Sequence, residues 1–191
     1  MEELQKKAEE GVAHAQFELG QHYEFGKNLP QDFLQAKEWY ERSADQGFAK
    51  AQYNLGLLYH HGRGVPVNYT RALHYYQQAA AQNDPWAINN IGFLYAHGKG
   101  VEKDDHEAMR WYHKAAALGH FEAQYNIGAR YAGEGGEQLI DAHYWFSRST
   151  IGANALQAER VKKILEQLEE YMEPAAVEEA KEKLRIELGE N

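Results

Sequence analysis

The sequence predicts an all-α protein, a right-handed α-solenoid built from four helix–turn–helix repeats with capping helices at both ends. Two recurring blocks and the composition lead to this prediction. An Ala-x-x-x-(Leu/Ile)-Gly-x-x-Tyr block recurs every 36 residues, from Ala15, Ala51, Ala87 and Ala123. A second block, in which Ala precedes an aromatic pair by three residues, starts at Ala36 and recurs after 36, 36 and 34 residues. A fixed period of this length is typical of repeat proteins, and it accounts for the 17 Gly and 13 Tyr.

The first block predicts a helix, which we call helix A of each repeat. Ala51, Leu55 and Tyr59 follow one another at four-residue intervals, so they lie on one stripe of a helix. Gly56 lies beside that stripe, where the missing side chain lets a neighbouring helix come close. Positions that all repeats share are expected to form the core. The same reasoning places the tryptophans of the second block there: Trp39, Trp111 and Trp145.

The second block predicts helix B of each repeat. Its first residue follows a side chain that can accept hydrogen bonds from the unpaired N–H groups of the first turn. These predicted N-caps are Asp32, Asn68 and Asp104. The helix is expected to end before a residue that adopts the left-handed conformation easily. These predicted ends are Gly47, Asn83 and Gly119. The fourth repeat lacks two residues in the loop between its helices, around 133–136.

The remaining segments predict caps for the two ends of the repeat array. Residues 4–11 resemble the last half of a helix B, so 1–10 are expected to form an N-terminal capping half-repeat, either as a natural cap or because an upstream segment is missing. The repeats are expected at 11–46, 47–82, 83–118 and 119–152, and the C-terminal cap at 153–191. This cap should contain two helices, 155–172 and 174–188, the second with Pro174 at its first position.

The charge and hydropathy of the chain exclude several classes of function. There are 20 Lys and Arg against 29 Asp and Glu, a net charge of −9, so a nucleic-acid partner is not expected. The longest apolar run, 91–96, is far shorter than the roughly 18 residues that a membrane span needs. No signal peptide is visible in the first residues, which predicts a cytoplasmic location for the chain as given. With 0 Cys, disulfides and thiolate metal sites are excluded.

The repeat unit resembles the Sel1-like repeat family, which is related to the tetratricopeptide repeats. The resemblance rests on Ala51-x-x-x-Leu55-Gly56-x-x-Tyr59-x-x-Gly62-x-Gly64-Val65, which the third repeat follows closely, and it covers about residues 11–152. The first repeat departs from the pattern at Asn28-Leu29. The resemblance implies a solenoid in which one face of each helix A lines a concave groove, and a bacterial adaptor that binds other proteins.

That groove is the predicted functional site, and its partner is expected to be a protein or peptide. The helix A positions that vary between repeats fall on one face, within about 80° of each other. Tyr53 and Trp86 are predicted to anchor the partner. The predicted groove residues are Phe17, Gln21, Lys50, Tyr53, Leu57, His60, His61, Trp86, Asn89, Phe93, His97, Glu122 and Tyr125. The chain is expected to be a monomer.

Catalysis, metal binding and cofactor binding are not expected. No nucleophile motif surrounds the few Ser and Thr residues. The ten His include no His-Glu-x-x-His pattern, so His60, His61 and His97 are interpreted as polar groove residues and not as metal ligands. Two alternatives remain: an inhibitory, immunity-type protein that neutralises another protein, and an enzyme or small-ligand receptor that uses the His-rich centre. A closed pocket around the three His would favour the second alternative, and an open groove would favour the adaptor.

Overall fold

A computed structural model describes residues 1–190, and these form eleven α-helices without a strand. The all-α prediction is confirmed. The helices are α1 (Glu2–Glu9), α2 (Ala13–Phe25), α3 (Phe33–Asp45), α4 (Ala49–His61), α5 (Tyr69–Ala80), α6 (Pro85–His97), α7 (Asp105–Ala117), α8 (Phe121–Glu134), α9 (Gln138–Ser149), α10 (Ala155–Glu169) and α11 (Pro174–Leu188). Within the described part of the chain, no helix is long and apolar enough to span a membrane.

The chain packs as two compact units. The first comprises Met1–Ala108 and the second begins at Met109, so the boundary lies within α7. In the first unit each helix from α1 to α5 packs against the next one in sequence. In the second unit α9 packs against α8 and against both C-terminal helices.

The predicted ends of helix B are confirmed. The side chain of Asp32 accepts hydrogen bonds from the backbone N–H groups of Leu34 and Gln35, at 2.9 and 3.0 Å. Asn68 and Asp104 cap α5 and α7 in the same way. After the helices, φ is +83° at Gly47, +60° at Asn83 and +78° at Gly119. Asn replaces Gly at the second of these positions because its short polar side chain tolerates the left-handed conformation.

The two helices of a repeat meet where a helix A glycine lies against a helix B aromatic ring. A Cβ added to Gly56 would lie 2.4 Å from the ring of Tyr76, and one added to Gly20 would lie 2.6 Å from the ring of Tyr40. Both tyrosines are fully buried. The close helix approach predicted from Gly56 is confirmed, because no larger residue fits beneath the ring.

The tryptophans of helix B lie at the edge of the core, so their predicted core role is confirmed only in part: Trp39 packs against the buried cluster of Ala8, Ala15 and Leu19. The three tryptophans are half-buried, and each indole ring lies beneath a cation three residues later on the same helix. The distances from cation to ring centroid are 4.4 Å for Arg42 and Trp39, 5.4 Å for Lys114 and Trp111, and 5.4 Å for Arg148 and Trp145. Each indole therefore has one side towards the protein and its π-face under a charge, an arrangement that is favourable at a surface.

Charged contacts hold the last helix, α11, against α9. Glu187 accepts hydrogen bonds from the guanidinium of Arg148 at 2.8 Å and from the hydroxyl of Tyr144 at 2.7 Å, and Lys183 pairs with Asp141. The two predicted C-terminal helices are present, with α11 bounded as expected and α10 three residues shorter than expected. In the fourth repeat α8 continues through part of the predicted loop, to Glu134.

Gly56→Ala is expected to destabilise the protein by about 1–3 kcal/mol, because the new methyl group collides with the buried ring of Tyr76. Gly133→Ala is the matched control. Gly133 also lies within a helix, but a Cβ there meets nothing within 4 Å. This substitution should therefore stabilise by about 0.5 kcal/mol through helix propensity alone. Urea unfolding of both variants measures the difference, and equal effects would contradict the packing account.

Candidate functional site

The varying face of helix A reaches the surface on α4 and α6 of the first unit. Exposed side chains there are Lys50, His61, Trp86 and His97, and half-buried ones are Tyr53, Leu57, His60 and Phe93. Trp86 is 50% exposed and follows Pro85, which starts α6. Equivalent faces of two successive A helices thus carry both aromatic rings and polar side chains.

Phe17 and Asn89 are exceptions, and their prediction as groove residues is corrected here. Phe17 is only 7% exposed, with its ring centroid 5.2 Å from that of Phe48 and 5.8 Å from that of Tyr40. The bulky ring fills the space between its own helix B and the following helix, so it belongs to the core. Asn89 is 9% exposed. Variation between repeats therefore does not by itself place a residue at the surface.

Aromatic rings cluster where the C-terminal ends of α4 and α6 meet. The ring of His60 lies 4.7 Å from that of His61, 5.3 Å from that of Tyr69 and 5.6 Å from that of Phe93, measured between centroids. The ring of His97 lies 4.2 Å from that of Phe93. The structure thus brings together the three predicted histidines and Phe93, and it adds Tyr69, which the sequence analysis did not identify.

His60 also has a structural contact that the sequence did not indicate. Its Nδ1 forms a hydrogen bond with the buried hydroxyl of Tyr76 at 3.2 Å. The equivalent residue of the first repeat, Glu24, accepts a hydrogen bond from the hydroxyl of Tyr40 at 2.6 Å and is 4% exposed. The sequence held one signal for this contact: in both repeats a polar residue, Glu24 or His60, precedes the buried tyrosine by 16 positions.

Desolvation and neighbouring charges keep the imidazole of His60 neutral. Burial is the main cause that lowers the pKa of His60 to about 4; a proton on His61 and the ammonium group of Lys99 disfavour its charged form as well. Burial also lowers the pKa of His61, and the positive charges of Arg63 and Lys99 lower it further. The neutral ring suits a group that packs against aromatic side chains.

The predicted groove residues of the second unit have different surroundings. Tyr125 is half-buried, because the guanidinium of Arg160 on α10 lies 5.1 Å from the centre of its ring. Glu122 is also half-buried, and its carboxylate lies 3.5 Å from Nε2 of His120. The C-terminal cap thus covers part of the helix A face on α8.

Besides a cleft of about 360 Å³ between α1 and α2, two further open clefts lie outside the His-rich cluster. One, of about 290 Å³, is lined by Glu18, Gln21, His22, Phe25 and Lys27, and so includes the predicted groove residue Gln21. The other, of about 340 Å³, lies in the second unit and is lined mainly by apolar side chains, among them Leu139, Ile140 and Met172. Phe25 is 62% exposed and was missed by the sequence analysis.

Residues 1–190 contain no group of three or more His, Asp or Glu side chains positioned to hold a metal ion. The helix pairs, the shared Gly–aromatic contacts and the varying surface together define an α-helical repeat protein. The Sel1 repeat matches residues 13–48, 49–84, 87–120 and 121–150. The chain belongs to the Sel1 repeat family, and the α-solenoid class is confirmed.

Solved structures of repeat proteins resemble this chain. A protective antigen present in uropathogenic Escherichia coli strains, which displays an SLR fold, is 37% identical with a TM-score of 0.74 over 82% of this chain. This chain spans only 34% of that protein. A Sel1 repeat protein from Oxalobacter formigenes is 39% identical over 63% of this chain and 91% of its own, with a TM-score of 0.58.

Helicobacter pylori cysteine rich protein B is 25% identical over 62% of this chain and 90% of its own length, with a TM-score of 0.51. This chain has no Cys, so the shared fold does not require the cysteines named in that relative. No curated protein shows significant similarity to the chain.

His60→Asn is expected to reduce the acid sensitivity of the fold. The folded state of the wild type holds the pKa of His60 at about 4, below the ordinary value of about 6.5 in the unfolded state. Stability is therefore lost as the pH falls from about 6.5 towards 4, because the unfolded chain takes up the proton first. Between pH 7 and 5 the wild type should lose about 1 kcal/mol more than the variant, allowing for solvent screening of a half-buried ring. Urea midpoints that shift equally in both proteins would contradict this.

Proposed function

We propose that this chain is a non-catalytic adaptor that binds a protein or peptide segment on the helix A face of α4 and α6. Sel1 repeat proteins generally mediate protein–protein interactions. The observation that carries the proposal for this chain is the row of aromatic side chains at varying positions on equivalent helix faces. This row contains Tyr53, Trp86 and Phe93.

The chemistry of this surface suits a protein partner. Trp and Tyr dominate the binding energy of many protein interfaces, because each buries a large rigid area at low entropic cost. The backbone beneath them is held by the Gly56–Tyr76 contact and by the capped ends of α5. A surface that is already ordered loses little conformational entropy on binding.

The proposal includes the inhibitory alternative, since neutralising another protein would use a surface of the same kind. The enzyme alternative is less favoured, because the imidazole of His60 is already hydrogen-bonded to Tyr76 and packed among rings, which does not suit a proton-transferring or metal-ligating group. The interaction face on α4 and α6 is therefore the function we favour.

Trp86→Ala is expected to weaken partner binding about 30-fold, because the exposed half of the ring is free to bury against a partner. Thermal unfolding of this variant separates any loss of stability from the loss of binding. The purified chain would first select peptides from two displayed random libraries, one with free C-termini and one with internal segments. Fluorescence anisotropy then gives Kd for synthetic copies of the selected peptides. Tyr53→Ala should act in the same direction, and its thermal unfolding should be measured alongside.

Leu34→Ala is the matched control, because Leu34 is a 58% exposed apolar residue on α3, a B helix. This variant should bind the selected peptides as the wild type does. The proposal would be contradicted if the wild type and the Trp86 and Tyr53 variants bound the peptides with equal affinity. It would also be contradicted if neither library yielded a binder.

A further inference from the structure

In two successive repeats, the second and the third, the loop after helix A places a cation directly before a left-handed glycine; the first repeat has Lys27 before Asn28 at this position. Arg63 and Lys99 are 36 residues apart, and each precedes a left-handed glycine, Gly64 with φ +69° and Gly100 with φ +71°. A Cβ added to Gly100 would lie 2.7 Å from the backbone nitrogen of Thr70. The loop is therefore pressed against the first turn of α5, which fixes the backbone beside Lys99.

The first of these cations already has a carboxylate partner. Nη1 of Arg63 lies 3.3 Å from Oε1 of Glu24, in the preceding repeat. Glu24 is 4% exposed and also accepts the hydrogen bond from Tyr40. At this junction the chain itself supplies the negative charge that the loop cation faces.

The second cation lacks such a partner, because His60 occupies the position equivalent to Glu24. The ammonium group of Lys99 lies over two aromatic rings instead, 4.9 Å from the centroid of Phe93 and 5.1 Å from that of Tyr69. Among residues 1–190 it forms no ion pair. Cation–π contacts hold the group in place but leave its positive charge uncompensated.

The charge of Lys99 acts on its surroundings. It helps to lower the pKa values of both His60 and His61. Burial is the larger cause at both residues. This positive region belongs to a chain whose net charge is −9, so it is a local exception. An anionic group that approached it would be attracted by Lys99 and could accept a hydrogen bond from the one N–H of the exposed His61 imidazole.

We propose that this region, the Lys99 patch, binds a carboxylate of the partner segment. That carboxylate would pair with Lys99 as Glu24 pairs with Arg63. The Lys99 patch consists of His60, His61, Tyr69, Phe93, His97 and Lys99. The inference rests on the proposed function, since it names the chemistry that the partner presents to that same face. The carboxylate belongs either to an Asp or Glu side chain or to the C-terminus of the partner.

The test uses the selected peptides in three synthetic forms. These are the parent, a form with every Asp and Glu replaced by Asn and Gln, and a form with an amidated C-terminus. The parent should bind Lys99→Met about tenfold more weakly than it binds the wild type, as expected for a lost charge-assisted contact. Lys103→Met removes the same charge from the same loop, where Lys103 pairs with Asp105, and should retain wild-type affinity.

A second variant supplies the missing carboxylate from within the chain. In His60→Glu the new side chain occupies the position of Glu24 and can pair with Lys99. Binding of the parent peptide should weaken about tenfold, while the modified form that has lost the contacting carboxylate should bind this variant and the wild type alike. Thermal unfolding of this variant at neutral pH establishes that the fold is intact.

Loss of affinity in the amide-substituted form assigns the carboxylate to a side chain, and loss in the amidated form assigns it to the C-terminus. The inference is overturned if Lys99→Met binds the parent as tightly as the wild type does, or if neither modified peptide binds more weakly than the parent. In either case, a loss of affinity in Trp86→Ala would leave the proposed function standing. A failure of the proposed function is recognised separately, by the absence of selected binders or by equal affinity of the wild type and the Trp86 and Tyr53 variants.

Discussion

The contact between a helix A glycine and a helix B aromatic ring is the constraint on which the rest of this protein depends. Gly20 lies against Tyr40, Gly56 against Tyr76, and in the second unit Gly128 lies against Phe146, with an added Cβ 3.0 Å from that ring. Because a backbone lies directly against a ring, the separation of the two helices is fixed in each of these repeats. The Ala and Leu stripe can then interdigitate at the density of a protein core.

This fixed scaffold leaves chemical differences between repeats at a few equivalent positions. Glu24 and His60 each satisfy the hydroxyl of a buried tyrosine, but only one of them brings a negative charge. Arg63 is consequently paired within the chain, whereas Lys99 lies over aromatic rings. A single exchange of Glu for His thus changes a closed internal ion pair into a positive region beside the proposed binding face.

Much of the fold was predictable from the sequence, because caps and glycines act locally. Asp32, Asn68 and Asp104 begin their helices as predicted, and α11 starts at Pro174. Burial of the varying positions was not predictable, because it depends on which neighbouring helix a side chain meets. Phe17 packs against Phe48 and is buried in the core, while Trp39 is only half-buried, with one face against the core and the guanidinium of Arg42 over its ring. The position of Lys99 was not predictable either, because it depends on a loop that packs against the first turn of α5. Repeat spacing indicates that Lys99 lacks a carboxylate partner only after the structure shows that Arg63 pairs with Glu24.

A crystal structure of the chain bound to a selected peptide tests the central claim most directly. The account predicts that the peptide lies along α4 and α6, contacts Trp86, and places a carboxylate oxygen within about 4 Å of the ammonium nitrogen of Lys99. A peptide bound instead to the B helices or to the C-terminal cap, with Lys99 still lying only over Phe93 and Tyr69, would contradict it.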